Sequence, residues 1–518
     1  MPTYLTPGVY VEEVDTGSKP LSAVGTAVAA FVGFTAKAPS DDPDDPDGLK
    51  PRLVTNWSQF ERLYGGFAPG AVLPHAVYGY FNNGGGLCYI VRVPHERAAG
   101  SRPPLALPSA NKADKPVLEL TALVDDDVEV VIQPGVAGVE GADGPTFDIT
   151  VLHNGVQEEQ FTGLTLGKGP RFAETVLAEQ SHLIGVKVKA ADKAALPQVG
   201  SYAIERAATT PVEVRPGDFE GAESARTGIR GLVIADEVTM VAVPDLITAA
   251  RQSDGTVDLD MWKSVQTSLI NHCEAEANRM AVLDAPPNMD AQQIKEWRAG
   301  VAMYDSKFAA LYYPWIKVPN PAATNGDRII TVPPSGHMAG IWARTDESRG
   351  VWKAPANEVV LGAVDVERKI THGEQSLLNP IGINCIRPFG VRGIRVWGAR
   401  TLASDPSWRY LNVRRLFNMV ETSILLGTQW VVFEPNDNAL WQRVKRTINA
   451  FLLGLWRDGA LFGTTPEEAF FVKCDGETNP PESIDEGKLV VEVGIAPVKP
   501  AEFVIFRVSQ WQGGASVE

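Results

Sequence analysis

Ser335-Gly336-His337 sets a hydroxyl and an imidazole two residues apart, and with a carboxylate such as Asp284 these are the groups of a hydrolytic relay. A serine nucleophile in an α/β hydrolase is raised on a G-x-S-x-G turn that presents its oxygen, and no such turn surrounds Ser335. Gly84-Gly85-Gly86 could cradle a phosphate with backbone N–H groups, but a phosphate loop needs a lysine after its last glycine, and Leu87 follows here. A tight turn is the simpler role. The seven histidines, His75, His95, His153, His182, His272, His337 and His372, form no H-E-x-x-H or H-x-x-x-H pair, so no metal site is signalled. The acidic run Asp41 to Asp47 lacks the glycine and terminal glutamate of a calcium loop and reads as a solvated loop. Cys88, Cys273, Cys385 and Cys474 stand far apart and read as buried free thiols. The sequence predicts no catalytic residue, no cofactor and no metal.

The elements that would position such groups come in two styles. On either side of a central segment, strands alternate with helices. Gly25 to Phe34 and Leu87 to Val93 read as strands, with helices over Asn56 to Phe67 (N-cap Ser58, stop Gly65) and His75 to Asn82. Thr256 to Arg279 and Ala291 to Gly300 read as helices, Val282 to Pro286 as a strand and turn between them, and Phe308 to Val318 as one buried strand. This alternation predicts a three-layer α/β domain. From Val117 to about Pro216 short strands are spaced by turns, which predicts an inserted β-rich domain in an outward position. Pro333 to Lys353 reads as loop and short helix, and Trp408 to Gly427 and Asn438 to Leu455 as long helices. Strands over Glu468 to Cys474, Lys488 to Ile495 and Ala501 to Trp511 close the chain. At the other end Pro2, Pro7 and Gly8 bar a helix, and Val9, Tyr10 and Val11 read as a strand that must pair in its own domain or in a neighbour.

A chain of 518 residues, 44% hydrophobic and 21% charged, is globular and long enough for two to four domains. Its net charge of -16 disfavours nucleic acid and anionic membranes as partners. Met1 to Tyr10 lacks the basic and apolar regions of a secretory signal, and no apolar run of about 20 residues occurs. The expectation is a protein made and left in the cytoplasm, with no membrane insertion.

Charge is distributed unevenly. Ile386 to Ala460 holds eleven arginines and lysines against five carboxylates, whereas from Asp475 onward eight carboxylates face three cations. Opposite signs in neighbouring regions suit head-to-tail contacts between copies. At 100° per residue, Leu440, Val444, Ile448, Phe451, Leu452 and Leu455 share one helix face, and Arg443, Arg446 and Arg457 share the opposite one. A basic stripe behind a core stripe, in an acidic protein, predicts an acidic partner surface.

The stretch from NVRRLFNMVETSILLGTQWVVFEPNDNALW to GALFGTTPEEAFFVKCD resembles the C-terminal domain of phage tail sheath proteins. So do TPGVYVEEV, NWSQFERLYGGF, NNGGGLCYIVRV, VVLGAVDVERKIT, LNPIGINCIRPFGVRGIRVWGARTL and the ending GKLVVEVGIAPVKPAEFVIFRVSQW. The style is similar to sheaths of extracellular contractile injection systems. The resemblance covers most of the chain except about 96–225.

That resemblance implies a multidomain fold of α/β and α+β type. An N-terminal arm over 1–24 and an assembly domain over 386–518 form an inner α+β domain from both chain ends. A middle three-layer α/β domain of subtilisin-like shape comprises 25–95 and 226–385, and 96–225 is an inserted β-rich outer domain. It further implies six-membered rings stacked around an inner tube, with chain ends adding strands to neighbouring subunits. Tyr4, Val9, Tyr10, Val11, Val508 and Trp511 would carry the arm contacts, and Arg443, Arg446 and Arg457 the contact with the tube. Partners would be further copies, the tube, and baseplate and tail terminator proteins. A baseplate or adhesive component of the same particle, and least of all an α/β hydrolase, are the competing readings.

Overall fold

A computed structural model describes residues 21–509, apart from 40–44, 46–47, 99–103, 111, 124–127, 137–138, 140, 143, 154, 190–195, 205–208 and 324–327. The predicted strand at Val9 to Val11 lies outside the described residues. The chain divides into two compact units, residues 1–93 with 214–518, and residues 94–213.

The first unit is built on an eight-stranded sheet. Its strands in chain order are β1 (Ala29–Gly33), β2 (Arg52–Val54), β3 (Cys88–Arg92), β4 (Met240–Ala242), β5 (Met280–Asp284), β6 (Ala309–Tyr313), β7 (Ile383–Pro388) and β8 (Ile394–Val396). They are ordered β2-β3-β1-β4-β5-β6-β7-β8. The six inner strands run parallel, and β2 and β8 pair antiparallel at the edges. Strands β1, β4, β5 and β6 are buried along their whole length, so their sequences (AAFVG, MVA, MAVLD, AALYY) show no polar alternation.

Helices α1 (Trp57–Tyr64), α2 (Leu73–Asn82), α3 (Leu259–Glu276) and α4 (Ser335–Arg349) belong to the same unit. Asn56 caps α1 by accepting from the Gln59 N–H, and Ser58, the expected cap, lies inside the helix. Gly65 ends it at φ 84°, a conformation costly for any side chain with a Cβ. The predicted single strand Phe308 to Val318 is instead β6 and a separate strand, Ile316–Pro319, in another sheet, because Pro314 and Trp315 break the run. The loop and short helix expected over Pro333 to Lys353 are mostly one 15-residue helix, α4. Its glycines argue against a helix by propensity but serve its contact with α2. A Cβ on Gly336 would stand 2.3 Å from the Ala76 carbonyl, and one on Gly340 2.5 Å from that of Tyr80.

Helices α5 (Leu411–Gly427) and α6 (Asn438–Arg457) share a second core with the antiparallel pair β9 (Phe470–Lys473) and β10 (Glu492–Ile495). The buried residues of α6 are Leu440, Val444, Ile448, Phe451, Leu452 and Leu455, the stripe read from the sequence. Leu21 and Val24, at the start of the described chain, pack on this core, and the Val24 N–H donates to Ser423 Oγ. A buried ion pair, Arg415 Nη2 to Asp346 Oδ2 at 2.5 Å, joins α5 to α4, and Thr26 bonds both side chains. Residues 501–509 hold no regular secondary structure, whereas a strand was expected there.

The second unit has its own apolar core, including Leu118, Leu120, Val130, Ile132, Ile149 and Leu164. A four-stranded antiparallel sheet orders Gly200–Ile204, Val128–Pro134, Phe147–His153 and Val156–Leu164, and a three-stranded sheet centres on Lys112–Ala122. The alternating burial of Val128–Pro134 is that of strands with one covered face.

Candidate functional site

In an open parallel sheet a ligand binds beyond the C-terminal ends of strands where the order switches direction. Here the switch lies between β1 and β4. Asp245, three residues past β4, fills that crevice. Its carboxylate accepts the N–H groups of Phe34 (2.7 Å), Val72 (2.5 Å) and Leu73 (3.0 Å), so it caps the start of α2, the place where a helix would bind an anion. A Cβ on Gly33 would meet the Asp245 carboxylate at 2.2 Å, so the carboxylate abuts the β1 backbone. Burial raises its pKa to about 7 against the opposing pull of those N–H donors. Asp284 repeats the device one strand along: it ends β5 and accepts the Ser335 N–H at 2.8 Å at the start of α4. Its pKa is also raised by burial to about 7. The chain's own carboxylates occupy the positions where this sheet architecture would hold a ligand.

The groups of the hydrolytic alternative are thus partly brought together, but in the wrong roles. Asp284 accepts the Ser335 backbone N–H, and both the Ser335 backbone and its hydroxyl oppose the rise in the Asp284 pKa, so the serine serves the carboxylate at the head of α4; the residue is 0% exposed and offers no oxygen to a substrate. Residues two apart on a helix point to different sides. The His337 ring turns toward α2, where a Cβ on Gly79 would stand 2.3 Å from it, and burial with the nearby His75 lowers its pKa to about 4. The cavity beside Asp284 measures roughly 10 Å³, room for about one water and for no substrate. No cluster of three or more metal-ligating side chains occurs among the described residues.

The surface features lie elsewhere. On α6, Arg446 and Arg457 are exposed and make no ion pair among the described residues. Arg443 is half-buried, pairs with Glu434 at 2.9 Å and lies 5.1 Å from the Trp430 ring centre. The basic block as a whole is less available than its composition suggests, because among the described residues six of its eleven cations make hydrogen bonds or ion pairs within the chain. Arg387 bonds Ile370 and Gln375, Arg395 bonds Asn357, Arg400 pairs with Glu502, Arg414 with Glu421, Arg415 with Asp346 and Arg443 with Glu434.

At the C-terminal end Phe503, Val504, Ile505, Phe506 and Val508 are all exposed, Val508 at 94%. Tyr4, Val9, Tyr10, Val11 and Trp511 lie outside the described residues. Sequence reading passed over Asp245 and Glu502. The signal for each was a lone carboxylate against an apolar run, in MVAVPD and AEFVIF. Among the described residues no helix is long and apolar enough to cross a membrane.

Comparison with known proteins gives this geometry a context. The phage tail sheath protein central domain matches residues 239–402, and the phage tail sheath C-terminal domain matches residues 403–510. The tail sheath protein of Burkholderia phage BcepMu is 24% identical over 96% of this chain and 95% of its own. The putative prophage major tail sheath protein of Pseudomonas aeruginosa is 28% identical over 59% of this chain and 76% of its own. Among solved structures, the anti-feeding prophage helical sheath in its contracted state aligns with TM-score 0.58 and 26% identity, covering 98% of this chain and 100% of that one. The PVC sheath complex of an extracellular contractile injection system, also contracted, aligns with TM-score 0.56 and 25% identity over 99% of both chains. The mixed α/β fold with several sheets is that of these sheaths. The chain belongs to the phage tail sheath protein family.

Proposed function

We propose that copies of this chain stack as six-membered rings around an inner tube, and that contraction of the stack drives the tube into a target. The observation that carries this reading is the run Phe503 to Val508. Apolar side chains alternate onto both faces of any strand it forms, and all of them are exposed in the single subunit. Such a strand is stable only when covered on both faces and paired at an edge, as in β-strand addition to a neighbour. Sheaths solved in the contracted state support a stack that changes length. Stored lattice free energy then does the work, and no nucleotide is consumed. Arg446 and Arg457, with Arg443 behind them, are the tube-facing candidates, and baseplate and terminator proteins close the two ends of the stack.

The test is negative-stain imaging of the purified chain beside a form ending at Glu502. The full chain should give helical polymers or rings and the shortened form folded monomers. Long polymers from the shortened form would sink the arm reading. Arg446→Glu with Arg457→Glu should leave polymers intact but empty of tube when the tube protein is supplied. A baseplate or adhesive component would give no helical polymer from either form.

A further inference from the structure

The apolar C-terminal run has a defined root. Glu502, the residue just before it, receives four hydrogen bonds from three side chains. Arg400 Nε donates to Oε1 at 2.9 Å and Arg400 Nη2 to Oε2 at 2.6 Å, a bidentate fork. Asn379 Nδ2 donates to Oε1 at 2.7 Å, and the Tyr410 hydroxyl to Oε2 at 3.2 Å. Arg400 is itself fixed. Its Nη1 donates to the Asn379 carbonyl, and its backbone N–H and C=O are both held by the fully buried Asn384 of β7. The clamp thus runs from β7 of the large sheet, through Arg400, to the last side chain seen anchored among the described residues. Burial pulls the Glu502 pKa up, but the hydrogen bonds and the positive charge of Arg400 outweigh it and leave the group below the ordinary glutamate range. Glu502 is half-buried between the exposed Ala501 and a run from Phe503 to Ser509 in which every residue is exposed.

We propose that Glu502 is the positioning residue of the C-terminal arm, clamped by Arg400, Asn379 and Tyr410 so that the arm leaves the subunit at one fixed point and load on it passes into the large sheet. This rests on the arm reading given above. A strand tethered at a fixed root reaches a neighbour's sheet at higher effective concentration than one free to slide, and loses less freedom on docking. During contraction a fixed root also turns the arm into a hinge instead of a slack cord.

The experiment compares critical concentrations for sedimenting polymer in full-length chains. Glu502→Ala should raise the critical concentration at least tenfold, while circular dichroism and melting of the unassembled chain stay close to the parent. The exchanged pair Arg400→Glu with Glu502→Arg should recover part of that loss, which a merely structural defect would not allow. Tyr410→Phe and Asn379→Ala keep the ion pair and remove one donor each. They should give intermediate values, and they decide the matter if Glu502→Ala does not fold. If the chain ending at Glu502 assembles like the parent, the arm reading itself fails. If that chain does not assemble but Glu502→Ala, or the two milder variants in its place, match the parent, the clamp is overturned and the arm reading survives.

Discussion

Single buried groups make the core of this sheath subunit sensitive to pH in two opposing ways. His75 and His337 lie where α2 meets α4, and burial lowers both pKa values to about 4. In the unfolded chain they titrate near 6.5, so as pH falls from 6.5 to 4 the unfolded state gains protons that the folded state refuses, and stability drops. Asp245 and Asp284 act in the other sense. Burial holds both protonated up to about 7, against about 4 when unfolded, so their contribution fades as pH rises through that same range. His337→Leu should remove one acid-sensitive contribution. Relative to the parent it should gain ~2 kcal/mol at pH 4.5 over its standing at pH 7, as read from urea unfolding at the two values. An unchanged difference would mean that His337 titrates normally in the fold. At this scale the sequence was legible by exclusion: spacing already disfavoured a relay at Ser335 and His337, but the occupation of the crevice by Asp245 depends on residues 34, 72 and 245 meeting across the sheet, and no local pattern records that.

Elements were legible where one face decides their packing and illegible where close contact overrides propensity. The core stripe of α6 came directly from periodicity, because six apolar residues share one face. Helix α4 did not, because Gly336 and Gly340 lower helix propensity and are retained for the approach of α2. The closing strand expected over Ala501 to Trp511 does not form over 501–509 for a different reason: a β-prone apolar sequence forms a ladder only when an edge is available, and among the described residues none is paired with it. The two kinds of glycine give a contrast. Gly340→Ala sets a methyl 2.5 Å from the Tyr80 carbonyl and should lose about 1–3 kcal/mol. Gly454→Ala, in the interior of α6 with nothing within 4 Å of the new methyl, should gain about 0.5–1 kcal/mol. Thermal melts of the two variants should move in opposite directions, and a shared loss would show that the surroundings of Gly454 on α6 are less open than the free space about its Cβ position indicates.

On the scale of the whole molecule, the chain interrupts one unit to fold another. Residues 94–213 carry their own core, and their two ends pair antiparallel, with Glu96 opposite Pro211 and the Val212 N–H bonded to the His95 carbonyl at 2.9 Å. A segment that enters and leaves through adjacent strands makes little demand on the backbone on either side, which is the condition under which insertions are tolerated. The family matches lie at 239–402 and 403–510, clear of this unit. Joining Val93 to Val214 through a short Gly-Ser linker should therefore leave a chain that folds, melts within a few degrees of the parent and still polymerises. The excised unit, expressed alone, should unfold cooperatively with a slope proportional to its own size. Loss of polymers from a shortened chain that still folds would place the inserted unit among the contacts that build the sheath. Failure of both pieces to fold would mean that the two cores are one cooperative structure despite their separate packing.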